Sequence, residues 1–352
     1  MVNDHIDIRQ YKKGDEEKIN NLFCKVFKEE RSIDEWKWKF VENPAVKEPG
    51  DWISLAVRNG EIIGHYASVA VELQIGEKVV KVPSPVDSMI APDSKVSVSV
   101  FKNLFKHNVE ITKKYSYFGF GFPNEKAYMV GKRMLGYKDI ATMIPFFRRL
   151  SIKTMIKRRF KSIPQIVLQL IHKISQLFFL VQINIYSTKA TIKLIDSFDN
   201  RVDNLWAKIK HNYGIWAVRK EEYLNWRYKN PQNQIIVCEK NKTLTGFAVC
   251  KIVNTDDATA GYINDLVYSE NPSALIAGVL KYMLKHDVDY VLFALMKDDP
   301  MITVIKEAKF IEHEAFKPFP VVFFPFYQDI QEESYLQDHK NWHLTYGDLD
   351  RY

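Results

Sequence analysis

The chain has 352 residues, 46% of them hydrophobic and 26% charged, with 14 glycines and 14 prolines, which excludes disordered, fibrous and collagen-like classes. That length and apolar content predict two domains of ordinary size. The formal charge of +7, from 50 basic against 43 acidic residues, is a modest excess over the whole chain.

Met1 to Arg9 begins polar and acidic, without the basic-then-apolar order of a secretory signal, and is read as the start of a cytoplasmic protein. No run approaches roughly 18 consecutive apolar residues, so no membrane-spanning helix is expected. Cys24, Cys238 and Cys250 form no CxxC pair and are read as reduced packing thiols.

A first short helix is predicted over 33–40, stopped by Asn43-Pro44. A hairpin follows, Ile53 to Arg58 and Ile62 to Val71 around Asn59-Gly60. Then come a strand (85–91), a helix (96–112) with Val100, Leu104, Phe105 and Val109 on one face, a strand (117–122) and a helix (125–135). Between Arg148 and Lys161 lie seven basic residues and no acidic one, leading into an apolar stretch over 163–185 that Pro164 interrupts. A helix pair packed on the domains and an amphipathic segment on anionic lipid, over 148–180, both suit this insert. A nucleic-acid surface suits it less, because stacking aromatics are sparse there.

Downstream the pattern repeats. Trp38-Lys-Phe-Val-Glu-Asn-Pro44 is echoed by Trp226-Arg-Tyr-Lys-Asn-Pro231, each at the end of a short helix (33–40; 221–228). A second hairpin (235–239 and 243–253), strand (261–268), helix (272–286), strand (290–296) and helix (301–308) complete the copy. Gly64 and Gly246 fall at matching places. Each half reads βααβββαβαββ, which predicts an α/β fold: two domains in tandem, each a mixed, mostly antiparallel sheet flanked by helices. The expected boundaries are 1–150, a basic helical insert 151–204, a second domain 205–330 and a docking tail 331–352.

The duplicated Trp-base-aromatic-Asn-Pro segment, Ile62-Ile-Gly-His65, Gly119-Phe-Gly-Phe-Pro-Asn124 and Leu135-Gly-Tyr137, in this element order, resemble the tandem-domain proteins of the Gcn5-related N-acetyltransferase (GNAT) superfamily. The resemblance covers nearly the whole chain outside the insert. It implies an acyl-CoA, acetyl-CoA above all, held where two parallel strands splay apart, and an amine that attacks the thioester directly. The helix after the fourth strand would hold the pyrophosphate on its unpaired N–H groups. There the family pattern of a base and two glycines is only partly met: Lys95 stands as the base, with Val96 and Val98 for glycines and Ser97 and Ser99 as further donors. The second copy, Ser269-Glu-Asn-Pro-Ser-Ala274, has neither base nor glycine, and Glu270 repels phosphate. The resemblance therefore places the cofactor in the first half.

A backbone N–H near Met89 or Ile90 is expected to meet the acyl carbonyl. Asp87, His65 and, farther along its strand, Glu72 are candidates for the base, and Tyr128 or Lys132 for the acid that protonates the thiolate. Asn124 is placed to face the pantetheine or to cap the next helix. In the aromatic tail, Trp342, Asp348 and Asp350 are candidates for an acceptor pocket, with plain packing as the alternative. His339 and His343, four apart, lack the further ligands a zinc site needs, so no metal is expected.

The functional expectation is an acyl-CoA-dependent N-acyltransferase acting on a primary amine, an amino sugar or another small amine. A non-catalytic tandem binding module and an aminoacyl-tRNA-dependent transferase remain open beside it.

Overall fold

The computed structural model describes residues 5–92, 98–160, 162–186, 190–256, 258–270 and 272–350. In chain order the first elements are β1 (Asp7–Gln10), α1 (Glu16–Phe27), α2 (Ile33–Phe40), β2 (Ile53–Arg58), β3 (Glu61–Ile75), β4 (Lys78–Ile90), α3 (Val98–Thr112), β5 (Phe118–Gly121), α4 (Glu125–Val130) and β6 (Lys138–Arg149). The last turn before β6, Gly131–Leu135, is π-helical. Next come α5 (Lys153–Arg159), α6 (Gln165–Tyr186), β7 (Thr191–Ile195), α7 (Arg201–Ile209), β8 (Ile215–Ala217) and α8 (Glu221–Arg227). The chain ends with β9 (Asn233–Lys240), β10 (Thr243–Asn254), β11 (Thr259–Tyr268), α9 (Pro272–Lys285), β12 (Tyr290–Met296), α10 (Met301–Glu307), β13 (Ile311–Glu312), β14 (Phe319–Pro325) and α11 (Glu333–Gln337).

These elements form two compact units. One holds the chain up to 141 with 215–218 and 319–341; the other holds 142–214, 219–318 and the chain from 342 on. The expected boundary at 150 is therefore displaced, because each repeat's last strand pairs outside its own stretch of sequence. Met143 to Arg149 of β6 pair antiparallel with Tyr290 to Met296 of β12, in the second unit. Phe118 to Gly121 of β5 pair with Val322 to Pro325 of β14, in the first. The part of the expected insert beyond 190 is likewise sheet and helix of the second unit: β7 pairs with β9 from Ile192↔Cys238 to Ile195↔Ile235.

In the first unit β1, β2, β3 and β4 form an antiparallel sheet in that order, with β8 added to the far end of β3. α3 packs on it through Val100, Leu104 and Phe105, beside Ala56, Ile63, Tyr66 and Phe324. α2 starts in a reciprocal cap, Ser32 Oγ accepting from Glu35 N–H while the Glu35 carboxylate accepts from Ser32 N–H. It buries Trp36 and Phe40, four apart on one face. β5 approaches β14 closely because position 119 is glycine: a Cβ there would lie 2.2 Å from the Phe324 ring.

The second unit's sheet runs β6-β12-β11-β10-β9-β7, with only β11 and β12 parallel, and β13 also on β6. α9 is buried along most of its length against it, through Leu275, Val279, Leu280 and Met283. Of the tail, Trp342, His343 and Leu344 are buried in this unit.

α6 is the apolar element that a search for consecutive apolar runs passes over. It is a helix long and apolar enough, by length and composition, to cross a membrane over Gln165–Asn184. No consecutive run betrays it, because Gln169, His172, Lys173, Ser175 and Gln176 interrupt the sequence; only helical geometry sorts them from the apolar side chains.

Candidate active site

In the first unit β4 has β3 on one edge and no ladder partner on the other among the described residues. Pro83 and Pro85, two apart, remove N–H donors from one edge of the strand, which suits an edge without a partner. β5 runs beside it, since a Cβ on Gly121 would lie 3.3 Å from Pro85, yet among the described residues it pairs on its other side, with β14. β4 and β5 thus border an open wedge. Ala91 N–H donates to Ile63 O at 2.9 Å, toward β3, so the amide one residue earlier, Ile90 N–H, turns to the open edge. Of the two amides expected at the wedge, Ile90 is the one so aimed; Met89 is buried opposite His65.

Behind the wedge β4 bulges. His65 pairs with Met89 and Ala67 with Val86, so Asp87 and Ser88 together face Tyr66, and Asp87 takes a left-handed φ of 47°. An aspartate tolerates this backbone better than most residues. Its carboxylate is expected as a base but is held otherwise. Oδ2 accepts from Arg31 Nη1 at 2.5 Å and Oδ1 from Lys39 Nζ at 3.0 Å, with the side chain almost wholly buried. Burial opposes its charge, but Lys39 and Arg31 outweigh burial and hold it below the usual carboxylate range. An ion so paired is a poor proton acceptor and a strong structural anchor.

His65 is fully buried, with Nδ1 2.7 Å from Asp87 O. Burial depresses its pKa to about 4, so the ring is neutral near pH 7. With Nδ1–H donating to that carbonyl, Nε2 carries a lone pair, and no partner meets it among the described residues. Arg31 Nη2 is likewise buried without a partner there. Phe40 sets its ring edge-on to the imidazole at 6.2 Å. Glu72 is apart from this cluster, 3.8 Å from Lys81.

Tyr128 does not stand free as an acid. Its hydroxyl donates to Asp139 Oδ1 at 2.9 Å, Lys132 reaches Asp139 Oδ2 at 2.8 Å, and the bond to Asp139 raises the tyrosine pKa. Asn124 is exposed and caps α4, its Oδ1 accepting from Ala127 N–H at 3.0 Å. Lys95 and Ser97 lie outside the described residues. Ser99 is exposed in the first turn of α3, which carries no acidic residue.

In the second unit β11 and β12 are laddered from Ala260↔Tyr290 to Ile263↔Phe293 and part beyond. The tail's turn at Tyr346–Asp348 lies against both strands there. A Cβ on Gly347 would come within 2.2 Å of the Tyr228 hydroxyl and 2.9 Å of Asn264 O. Arg219, buried, reaches Asp265 Oδ2 at 2.7 Å and Asp348 Oδ1 at 2.9 Å. Arg227 holds the tail backbone at Gly347 O. The residues expected around an acceptor are thus packing groups: Trp342 is core, and both Asp348 oxygens are engaged, by Arg219 and by Thr345 N–H. Asp350 is half-buried. His343 is engaged with Asp299, 2.6 Å from Nδ1. Before α9, Glu270 pairs with Lys240.

Sequence reasoning passes over Arg31, Lys39 and Arg219. A signal exists: Arg31 and Arg219 each stand seven residues before the repeated tryptophans, Trp38 and Trp226. Asp87 and Asp265 each stand three before the residue that faces the matched glycine, Ile90 with Gly64 and Tyr268 with Gly246.

Residues 7–131 match the family model of the acetyltransferase (GNAT) domain. The fold of the whole is similar to that of a GCN5-related N-acetyltransferase from Anabaena variabilis, with TM-score 0.64 and 11% identity over 92% of this chain and 73% of that one. A GCN5-related N-acetyltransferase from Kribbella flavida gives 0.62 and 14%, covering 92% and 71%. Saccharomyces cerevisiae N-myristoyltransferase, solved with bound myristoyl-CoA, gives 0.57 and 13%, covering 92% and 83%. No curated protein matches in sequence. The class so defined is one of fold: that of the GCN5-related N-acetyltransferases. Within it, residues 7–131 carry the match to the GNAT domain.

Proposed function

We propose that the protein transfers an acyl group, acetyl in the first instance, from acyl-CoA to a primary amine, using the first unit alone. The observation that carries this is the wedge beside β4, toward which Ile90 N–H turns, an aim that suits an acyl carbonyl lying there. The second unit's strands part at a place its own tail occupies, which supports a single cofactor site.

The amine nitrogen attacks the thioester carbon and the carbonyl oxygen gains charge beside Ile90 N–H; as the C–S bond breaks and the amide forms, the proton that the attacking nitrogen sheds passes to the departing thiolate, giving free CoA thiol. The ammonium must first lose a proton. Of the expected bases His65 keeps an unshared lone pair, at Nε2, but the ring is fully buried and its pKa depressed, so proton transfer to it needs a bridging water or a local opening. Asp87 acts as a positioning residue, its ion pairs holding the bulge that aims the strand. An amino sugar or other small amine is the acceptor in this reading.

One observation favours a non-catalytic binding module instead: Tyr128, the candidate acid, is committed to Asp139. Calorimetric titration with acetyl-CoA decides first. Binding, followed by release of free thiol with a panel of amino sugars and small amines, supports the transferase. Neither heat nor thermal shift at millimolar acetyl-CoA supports the binding module.

A further inference from the structure

α6 has two unlike faces. One is seated in the second unit: Leu168, Phe179 and Ile183 are buried, the latter two among the core residues around α9. Polar contacts hold the same side, Gln176 Nε2 to Leu284 O and Asp287, His172 to Asp287, and Arg148 to Gln182. The opposite face shows Ile166, Leu170, Ile174, Leu177, Phe178 and Val181 at three-to-four spacing, with Ile166 76% and Leu177 64% exposed. Met155 and Phe160, on and just after α5, add exposed apolar surface. An apolar stripe of this length is costly in water unless something covers it.

Charge identifies the cover. From Arg148 to Ile195 the sequence holds ten basic residues and no acidic one. Of these, Arg149, Lys153, Arg159 and Lys173 are exposed. A second copy of this chain on the stripe would bring two such segments together against strong repulsion, whereas an anionic surface is attracted by both the charge and the stripe. A helix crossing the bilayer would have to strip Gln176, His172 and Gln182 of the partners that seat it.

We propose that α6 lies flat on an anionic lipid surface, its exposed stripe in the acyl-chain boundary and the basic residues of the segment against the headgroups. Only 22% of the apolar window is buried within the protein, which leaves the rest for lipid. The arrangement is that of an interfacial amphipathic helix. It is independent of whether the first unit transfers an acyl group.

The test is flotation of the full chain with phosphatidylcholine vesicles, with and without phosphatidylglycerol. The protein should float with the anionic vesicles at low salt, and molar salt or neutral vesicles should release most of it. The triple variant Leu170→Gln, Leu177→Gln, Val181→Gln should bind about a hundredfold more weakly. Because these side chains are exposed, its melting temperature should be unchanged. Failure of the wild type to float, or equal flotation of wild type and a folded triple variant, overturns the proposal. Resistance to alkaline carbonate overturns it in favour of a spanning helix. A wild-type dimer that the triple variant abolishes, with vesicles ignored, overturns it in favour of a second copy.

Discussion

Arg219 meets Asp265 at 2.7 Å with both side chains out of solvent, and the pair stands at the same place in its repeat as Arg31 and Asp87 in the first. In both units an arginine just before a short helix reaches across to an aspartate on the fourth strand. The first unit adds a second cation, Lys39; the second adds a second anion, Asp348. Asp265 is crowded by burial and by Asp348, which raise its pKa despite the pull of Arg219. Asp87 instead faces two cations, and its pKa falls.

Removing the arginine leaves buried carboxylates uncompensated. Arg219→Met should cost about 3–5 kcal/mol, read as a lowered denaturation midpoint, and should free the tail to exchange amide hydrogens over 342–350. Asp348→Asn keeps the Arg219–Asp265 pair and should cost less while still loosening the tail. A tail equally protected in all three proteins would show that Trp342 and Leu344 hold it without the ion cluster.

The second prediction concerns acid. The unfolded His65 titrates near 6.5 and the folded one near 4, so between those values the unfolded chain binds more protons. Stability therefore falls as pH drops from 6.5 toward 4, by an amount on the order of 3 kcal/mol from this group. Phe247 stands at the corresponding position opposite the fourth strand of the second unit, so His65→Phe suits the fold. That variant should lose this part of the slope, measured by urea midpoints at pH 6.5 and 4.5. An unchanged slope would place the acid sensitivity elsewhere.

Much of the fold was legible because periodicity and the duplicated tryptophan segment report local structure. The helix at 33–40 and the strands at 53–58 and 290–296 all lie where the sequence places them. The exchange of last strands was not legible: β6 and β14 are apolar strands whose pattern says that they are buried, not which sheet buries them. The site was half legible. Asp87 and His65 do lie together, but the charge of Asp87 depends on Arg31 and Lys39, which are 56 and 48 residues from it in the chain. Ion pairing at that separation leaves no periodic trace in a single sequence.

Packing gives a third prediction. A Cβ on Gly131 would lie 2.0 Å from the Tyr137 ring, which stacks on Phe324 and cannot swing away freely. Gly131→Ala should destabilise by about 1–3 kcal/mol. Gly131→Ala with Tyr137→Leu should recover part of the loss, and no recovery would mean that the backbone of the π-helical turn, not the ring, demands glycine.

The last prediction separates helix stability from cofactor binding at one position. Ser99 is exposed in the first turn of α3, and Ser273 lies in the first turn of α9. A carboxylate at either place interacts favourably with the helix N-terminus, so Ser99→Asp and Ser273→Asp should each leave the melting temperature unchanged or slightly raised. Their effects on acyl-CoA should differ. If the pyrophosphate sits at the start of α3, Ser99→Asp places a negative charge beside it and should weaken acetyl-CoA binding by about tenfold, while Ser273→Asp changes nothing. Calorimetric titration of both variants reads this directly. Losses of equal size, or a loss only in Ser273→Asp, would remove the cofactor from the first unit, and full affinity in a folded Ser99→Asp would place the pyrophosphate away from the start of α3.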